Sequence, residues 1–465
     1  MEKNSFSGVT DAKALREKVT NSLPVADFGK SLSPEVQEGL EKISELSDEN
    51  FIRQVRPIVR SIMHHIRSVE GLKIQGFEAV CHMLPSPNDP DMQNPLIVLP
   101  GRGCGYQKGE GGCTMCNFAQ EGRDATIQDV DEAVDFLINH FESYFEKNPT
   151  KPKVAVININ ALGSFFHKDE LTPEVRDHIY HRVNKYKKEQ GKDRIVVFVL
   201  EGRLDQITEE NISDMREKVG EDVVIDVGVG IESTDFLVRE GVINKGLPED
   251  WKERLAILRK YDCEIEGHVM FGTPFLDQDQ MIDDTVESVR DLANMKDTRG
   301  EKMFQQVLLM VSNKKPGTLV NQLAKSGEYA LPDIFDVYDA VKKLDDVIGD
   351  ESKSRVMVFG LVGPEAHREA GTEYLEPQGG DEAAYQALLK WDGSREKYME
   401  FVEAIEAIPE SAVSKKKHQE RKKSIGNRAQ DPRQQLKKKI AEACYRLASV
   451  YNSKISERLL SGIEK

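Results

Sequence analysis

Between residues 95 and 360, short runs rich in Val and Ile recur with longer amphipathic stretches between them, and few folds accommodate that alternation. The runs fall at 96–99, 154–157, 195–200, 223–229, 264–271 and 307–311, with 356–359 as a seventh. The stretches between them predict helices over 127–145, 173–190, 208–219, 248–260, 279–293 and 332–344. Apolar strands joined by helical crossovers make a parallel sheet covered by helices. The expected class is therefore α/β, a partial (β/α)6 TIM-like barrel with helical N- and C-terminal extensions. Its chemistry should sit at the C-terminal ends of the strands.

The flanks read differently. Over 50–68, Phe51, Val55, Ile58, Ile62 and Ile66 recur every three or four residues, which predicts a helix that Pro57 kinks or breaks. Pro85-Ser-Pro-Asn-Asp-Pro90 should end any regular element, so the expected division is a helical 1–90, a barrel over 91–365 and a helical, partly basic 366–465. No apolar run approaches the roughly 18 residues that cross a bilayer. The first residues lack a basic stretch followed by an apolar one, so the expected location is the cytoplasm, with no membrane partner.

The chain has 64 Lys plus Arg against 80 Asp plus Glu, a formal charge of −16 that disfavours a surface embracing nucleic acid throughout. One segment departs from that average. From Ser414 to Ile440 eleven Lys or Arg face two acids, a basic run suited either to phosphates or to a solvated helix.

Three of the six cysteines, Cys104, Cys113 and Cys116, share a glycine-rich stretch directly after the first run. Thiolates select zinc or iron–sulfur, and three are one short of a closed site, so a metal held here keeps a position free. A zinc loop completed by Cys81 or His82 is the structural alternative. Cys81, Cys263 and Cys444 otherwise read as buried small apolar residues.

The stretch Gly101-Arg-Gly-Cys104…Gly111-Gly-Cys113-Thr-Met-Cys116-Asn-Phe118 resembles the cluster loop of radical S-adenosylmethionine (SAM) enzymes. In detail it resembles the Elp3-like branch, and within it the radical SAM subunit of archaeosine synthases. Asn160-Ala-Leu-Gly163-Ser164-Phe165, Glu201-Gly-Arg203-Leu-Asp205, Gly228-Val-Gly-Ile-Glu232-Ser and Ile243-Asn-Lys-Gly246 resemble further motifs of that branch, in the same order, over about residues 95–345. The resemblance implies a 4Fe-4S cluster on Cys104, Cys113 and Cys116 and SAM as second cofactor. It places Gly163, Ser164 and Phe165 against the methionine end of SAM, Arg203 on its carboxylate, Glu232 on its ribose, and Glu201 among the cofactor contacts. It also implies a reducing partner such as ferredoxin or flavodoxin. Glu232 and Arg203 would equally suit a structural ion pair at the barrel rim.

Departures from the branch bear on the substrate. Glu-Ser-Arg-Pro is replaced by Glu201-Gly-Arg203-Leu and Cys-Gly-Tyr by Cys116-Asn-Phe, and no C-terminal Cys-x-x-Cys tail is found. The expectation is therefore a radical SAM enzyme acting on a small biosynthetic molecule, with the terminal helices capping the barrel mouth. The alternatives are an archaeosine-synthase-like lyase working on a modified tRNA base with a partner protein, and a non-enzymatic, metal-stabilised RNA-binding adaptor. Two weaker features are His167 with Asp169 and Glu170, suited to proton transfer or to a solvated loop, and Gly272-Thr-Pro-Phe275, suited to the adenine side.

Overall fold

The computed structural model describes residues 23–70, 80–86, 89–117, 123–190, 193–361, 372–424, 431–451, 456 and 459. One eight-stranded sheet organises them, with its strands side by side in chain order. They are β1 (Val80–Ser86), β2 (Asp89–Val98), β3 (Val154–Asn160), β4 (Ile195–Glu201), β5 (Val224–Glu232), β6 (Cys263–Phe271), β7 (Gln306–Val311) and β8 (Arg355–Phe359). β1 runs antiparallel to β2, and β2 through β8 are mutually parallel. These seven curl into a half-barrel left open between its edges, one parallel strand more than the six-stranded expectation, with 356–359 supplying it.

Crossover helices cover the outer face: α4 (Ile127–Lys147), α5 (Pro173–Gln190), α6 (Glu209–Val219), α7 (Trp251–Lys260), α8 (Gln278–Asn294) and α10 (Ile334–Lys343). Three of them start on reciprocal capping boxes, Thr126 with Asp129, Asp277 with Gln280 and Asp333 with Asp336, which satisfy orphan N–H groups of the first turn. Outward-facing strand residues such as Phe198, Leu200, Ile225, Val227 and Ile265 are fully buried beneath these helices. Sealing one such side contributes about 1.5–3 kcal/mol.

The inner face differs from the apolar expectation. Asp226, Glu232, Glu264, Glu266 and His268 occupy alternate positions along β5 and β6, and toward the C-terminal ends of the strands Glu232 and His268 line a cavity. The predicted break at Pro85–Pro90 falls between β1, which ends at Ser86, and β2, which begins at Asp89, but the two prolines lie within strands. β1 and β2 run through Pro85 and Pro90 and pair as an antiparallel ladder, Pro85 opposite Gln93. β1 lies at the sheet edge, where a missing N–H leaves no ladder bond unmade on the solvent side.

The two helical flanks meet. α1 (Pro34–Ser44) and α2 (Asp48–Glu70) pack with α14 (Pro432–Tyr451) around Ile43, Phe51, Val55, Met63, Ile440 and Leu447, a core separate from that of the barrel. α2 continues through Pro57 without a break. α11 (Glu382–Leu389) and α12 (Arg395–Glu406) join the barrel core through Tyr385, Trp391 and Phe401 instead. No helix among the described residues is long and apolar enough to cross a membrane.

Candidate metal and cofactor site

The loop after β2 carries the three cysteines at the C-terminal end of the sheet. Cys104 precedes a short helix, α3 (Gly105–Glu110), and Gly111 and Gly112 follow with φ of 74° and 67°, turning the chain back so that Cys113 and Cys116 face the same space. The left-handed turn requires glycine: a Cβ on Gly111 would lie 2.9 Å from the Arg60 Cα of α2, and one on Gly112 would overlap Gln107. Cys104 and Cys113 are buried and Cys116 half-buried, and all three line one cavity of about 220 Å³ at the mouth of the half-barrel. Burial pushes the Cys104 thiol up to about 12, with Glu170 and Cys116 adding to the rise and Arg203 opposing it. Such thiols ionise when a bound cation displaces their protons.

Side chains distant in sequence hold this loop. Asn244, itself at φ 54°, donates from Nδ2 to the Gly112 and Glu110 carbonyls, accepts from Arg56, and receives the Tyr106 hydroxyl on its own carbonyl. The Thr114 N–H donates to Ile243 O at 2.9 Å and its hydroxyl to Val242 O at 3.0 Å. The tetrapeptide 243–246, visible in the sequence only as a motif match, is therefore the clamp on the cysteine loop. Arg67 of α2 donates to the Cys113 and Cys116 carbonyls at 2.9 and 2.8 Å, and Gln107 donates to the latter as well. No local signal marked Arg67, which sits on an ordinary amphipathic helix with its target loop folded against it. Glu170 is buried and accepts from Gly105 N at 2.9 Å and Ser164 N at 2.7 Å. It is neither solvated nor offered to substrate, and ties the cysteine loop to the loop after β3.

Four of the six residues expected to contact SAM line the cavity: Gly163, Glu201, Arg203 and Glu232. Gly163 is cleared by necessity, since a Cβ there would lie 2.8 Å from Cys104 Sγ. Ser164 is not among them. It is buried, with Oγ accepting from Arg203 N at 3.1 Å. Phe165 also points away, buried among Phe166, Tyr180 and Phe198, where it anchors the loop. Arg203 stacks 3.9 Å above the Tyr106 ring and lies 2.9 Å from Asp205. Glu201 ends β4 with its carboxyl open to the cavity, and burial inside the barrel raises its pKa while the facing His268 opposes. His268, which the sequence reading left out, is held by Glu266 at 2.8 Å and, although burial opposes, titrates up at about 9. Gly272-Thr-Pro-Phe275 is not part of the cavity wall, and Phe118 lies outside the described residues.

Glu232 stands at φ 68°, a conformation uncommon for a residue with a side chain, and pairs with Lys245 at 2.8 Å. The rim ion pair therefore joins Glu232 to Lys245 rather than to Arg203, whose carboxylate partner is Asp205. It leaves the second carboxylate oxygen of Glu232 outside that pair. The turn that follows is fixed to α8 by Ser233 Oγ donating to Asp284 at 2.7 Å. Burial lifts the Asp284 carboxyl from 3.8 to about 7, with Asp235 and Glu287 adding and the Ser233 bond opposing. The folded chain then keeps a proton that the unfolded chain releases, so stability falls as pH rises from about 4 to 7. Replacing it, Asp284→Asn, should flatten that dependence and leave the variant about 1–3 kcal/mol more stable than the parent at pH 8. Urea unfolding at pH 5 and pH 8 checks this; parallel pH curves for the two proteins would refute it.

Six of the eleven Lys and Arg of the basic run meet carboxylates of the same molecule, while Lys416, Lys417, Lys423 and Lys439 are exposed. On α13 (Val413–Ser424), His418 and Arg421 turn inward onto the Asp333–Asp336 capping box of α10, Lys415 pairs with Glu410, and Lys422 with Asp339. On α14, Arg433 meets Asp48 and Asp235, Lys437 meets Asp48, and Lys438 meets Glu41. The segment straps the C-terminal helices to the barrel and to α1 and α2, a role the sequence reading did not weigh. Residues 425–430 of it lie outside the described residues.

The expected zinc alternative can be set beside the geometry. Among the described residues, the trio of His, Cys or carboxylate ligand atoms lying within 4.8 Å of one another is Asp333, Asp336 and His418, not the cysteines. Zinc at ~2.3 Å from each sulfur would draw thiolates to about 3.8 Å apart. Cys81 sits on β1 opposite Ile97, away from the cavity wall, and His82 has no described side chain.

No family profile matches the chain. It is 24% identical over 252 residues to an uncharacterized protein of Methanocaldococcus jannaschii, covering 53% of this chain and 63% of that one. It is 23% identical over 250 residues to archaeosine synthase subunit beta of Methanosarcina acetivorans, covering 53% and 65%. The matches thus span just under two thirds of each relative, and the resemblance to the archaeosine-synthase branch read from the motifs agrees with them. Solved structures with partial likeness include the Elp3 of Methanocaldococcus infernus, at 14% identity and a TM-score of 0.36 over 50% of this chain and 55% of that one. The radical SAM methyltransferase TsrM of Kitasatospora setae, with cobalamin and a 4Fe-4S cluster bound, gives 12% and 0.35 over 67% and 60%.

Proposed function

We propose that this chain is a radical SAM enzyme whose 4Fe-4S cluster is held by Cys104, Cys113 and Cys116. The observation that carries the reading is the convergence of three thiols, two buried and one half-buried, brought by a glycine-dependent turn, on a cavity they share with Gly163, Glu201, Arg203 and Glu232. The donor set fits the group: three thiolates, a backbone cleared beside Cys104, and room at the cavity for a small molecule. When bound, cluster and SAM together supply a 5′-deoxyadenosyl radical by reductive cleavage of the sulfonium. The protein's own residues bind and orient. Arg203, fixed by Tyr106 and Asp205, offers a planar fork suited to a carboxylate at the cavity wall. Glu232, fixed by Lys245, offers acceptors suited to ribose hydroxyls. The layer of α1, α2 and α14 packs behind the cysteine loop and excludes water from that side.

The substrate is read as a small biosynthetic molecule taken into the half-barrel, with electrons from a ferredoxin or flavodoxin. The pairing of six of the eleven Lys and Arg of the basic run with carboxylates of the same molecule supports this over a phosphate-gripping surface. A second reading, a modified tRNA base handled with a partner protein, is favoured by the similarity to an archaeosine synthase subunit. Anaerobic reconstitution followed by SAM and dithionite should give close to four irons per chain and 5′-deoxyadenosine. A colourless protein with stoichiometric zinc and no nucleoside product would instead establish the adaptor alternative. Binding of unfractionated tRNA that weakens steeply with salt would select the second substrate reading.

A further inference from the structure

Arg67 is a half-buried cation whose guanidinium reaches into the interior without meeting a carboxylate among the described residues. Its Nη2 is used by the Cys113 and Cys116 carbonyls, while Nε and Nη1 are shut off from solvent and have no hydrogen-bond partner. Among the described residues no carboxylate pairs with it. Two cations of the cavity wall, by contrast, are matched, Arg203 by Asp205 and Lys245 by Glu232. The groups that face Arg67 electrostatically are Cys104, Cys113, Cys116 and Tyr106. A guanidinium left unpaired in a low-dielectric interior is costly, and proteins keep such groups where an opposite charge arrives. Here the arriving charge comes with the metal. Three thiolates around a dicationic cube leave a net negative charge, and reduction adds one more.

We propose that Arg67, delivered from the N-terminal helix α2, is the counter-charge of the cysteine-bound cluster and raises its reduction potential. The proposal rests on the cluster reading above. Its physical content is that a fixed positive charge beside the cysteine turn favours the reduced, more anionic cube over the oxidised one. Arg67 is a positioning residue in this account: it touches the ligands' own backbone and not the reacting atoms. It also makes the helical extension a functional part of the site, since the barrel residues described have no equivalent cation donating to that turn.

The test is a redox titration followed by electron paramagnetic resonance on the reconstituted full-length chain, its R67Q variant and its R67K variant, with iron and sulfide measured on each. R67Q should keep the iron content of the parent, since all three thiolates remain, but its oxidised-to-reduced ratio at a fixed potential should rise at least tenfold, a negative shift of about 59 mV for one electron. R67K keeps the charge and should stay within twofold, about 18 mV. If R67Q does not fold, R67K decides: a parent-like potential supports the proposal, and a tenfold shift overturns it. An R67Q protein with full iron and an unshifted potential overturns it as well. Absence of iron from the parent chain is a different result, for it removes the enzyme reading itself.

Discussion

Cys113→Ala is expected to abolish 5′-deoxyadenosine formation, by at least about a thousandfold, and to lower bound iron to a small fraction of the parent value. Two thiolates cannot hold a cube that three were placed to hold, and no other cysteine lines the cavity to replace the third. The same change should leave the fold almost intact. Cys113 contributes one small side chain to the core around α2, so its truncation costs on the order of 1 kcal/mol. Cys263 supplies the contrast: it is fully buried on the outer face of β6, its thiol pushed up by burial to about 11, and it has no part in the cavity wall. Cys263→Ala should therefore keep iron and product. Parent-like iron in Cys113→Ala would end the assignment of the metal ligands.

The second large effect is on stability. Lys245 Nζ lies 2.8 Å from Glu232 Oε1, with only 11% and 10% of the two side chains exposed. Burial works against the Lys245 charge, but Glu232 and the neighbouring Cys113 hold the ammonium protonated above its ordinary range. Lys245→Met removes the cation and leaves a carboxylate buried at a positive φ with nothing to neutralise it, so unfolding free energy should fall by about 3–5 kcal/mol. Adding Glu232→Gln should return most of that loss, because the pair then disappears together. Urea unfolding of the parent, the two single variants and the double variant measures the coupling. A Lys245→Met protein within about 1 kcal/mol of the parent would show the pair to be solvated and Glu232 free for another partner.

The clamp around Lys245 explains why some of the site was hard to see in advance. Asn244 and Lys245 follow a π-helical turn, Leu237–Val242, and project in different directions, one onto the cysteine loop and one onto the end of β5. A motif match finds such residues but does not say which neighbour each one meets. Ser164 and Phe165 show the reverse. Their place in a recognised string suggested cofactor contact, yet Oγ accepts from the Arg203 backbone and the ring fills an aromatic cluster. Residues conserving a loop's shape and residues touching a ligand look alike in one sequence.

By itself the chain determined the periodic part of the molecule and its most chemically distinct loop. Val- and Ile-rich runs with helical spacers dictate a parallel sheet because strand and helix periods bury different faces, and three thiols among glycines dictate a soft-metal site because few other groups use them. Only the folded structure decided what long-range packing controls. It carried the sheet back through Pro85 to β1, joined α1 and α2 to α14, tied Arg421, Arg433 and Lys437 of the basic run to Asp48, Asp235, Asp333 and Asp336, and brought Arg67 to the cysteine turn. Ion pairs and orphaned donors have no period along the chain; they exist only where distant segments exclude water together.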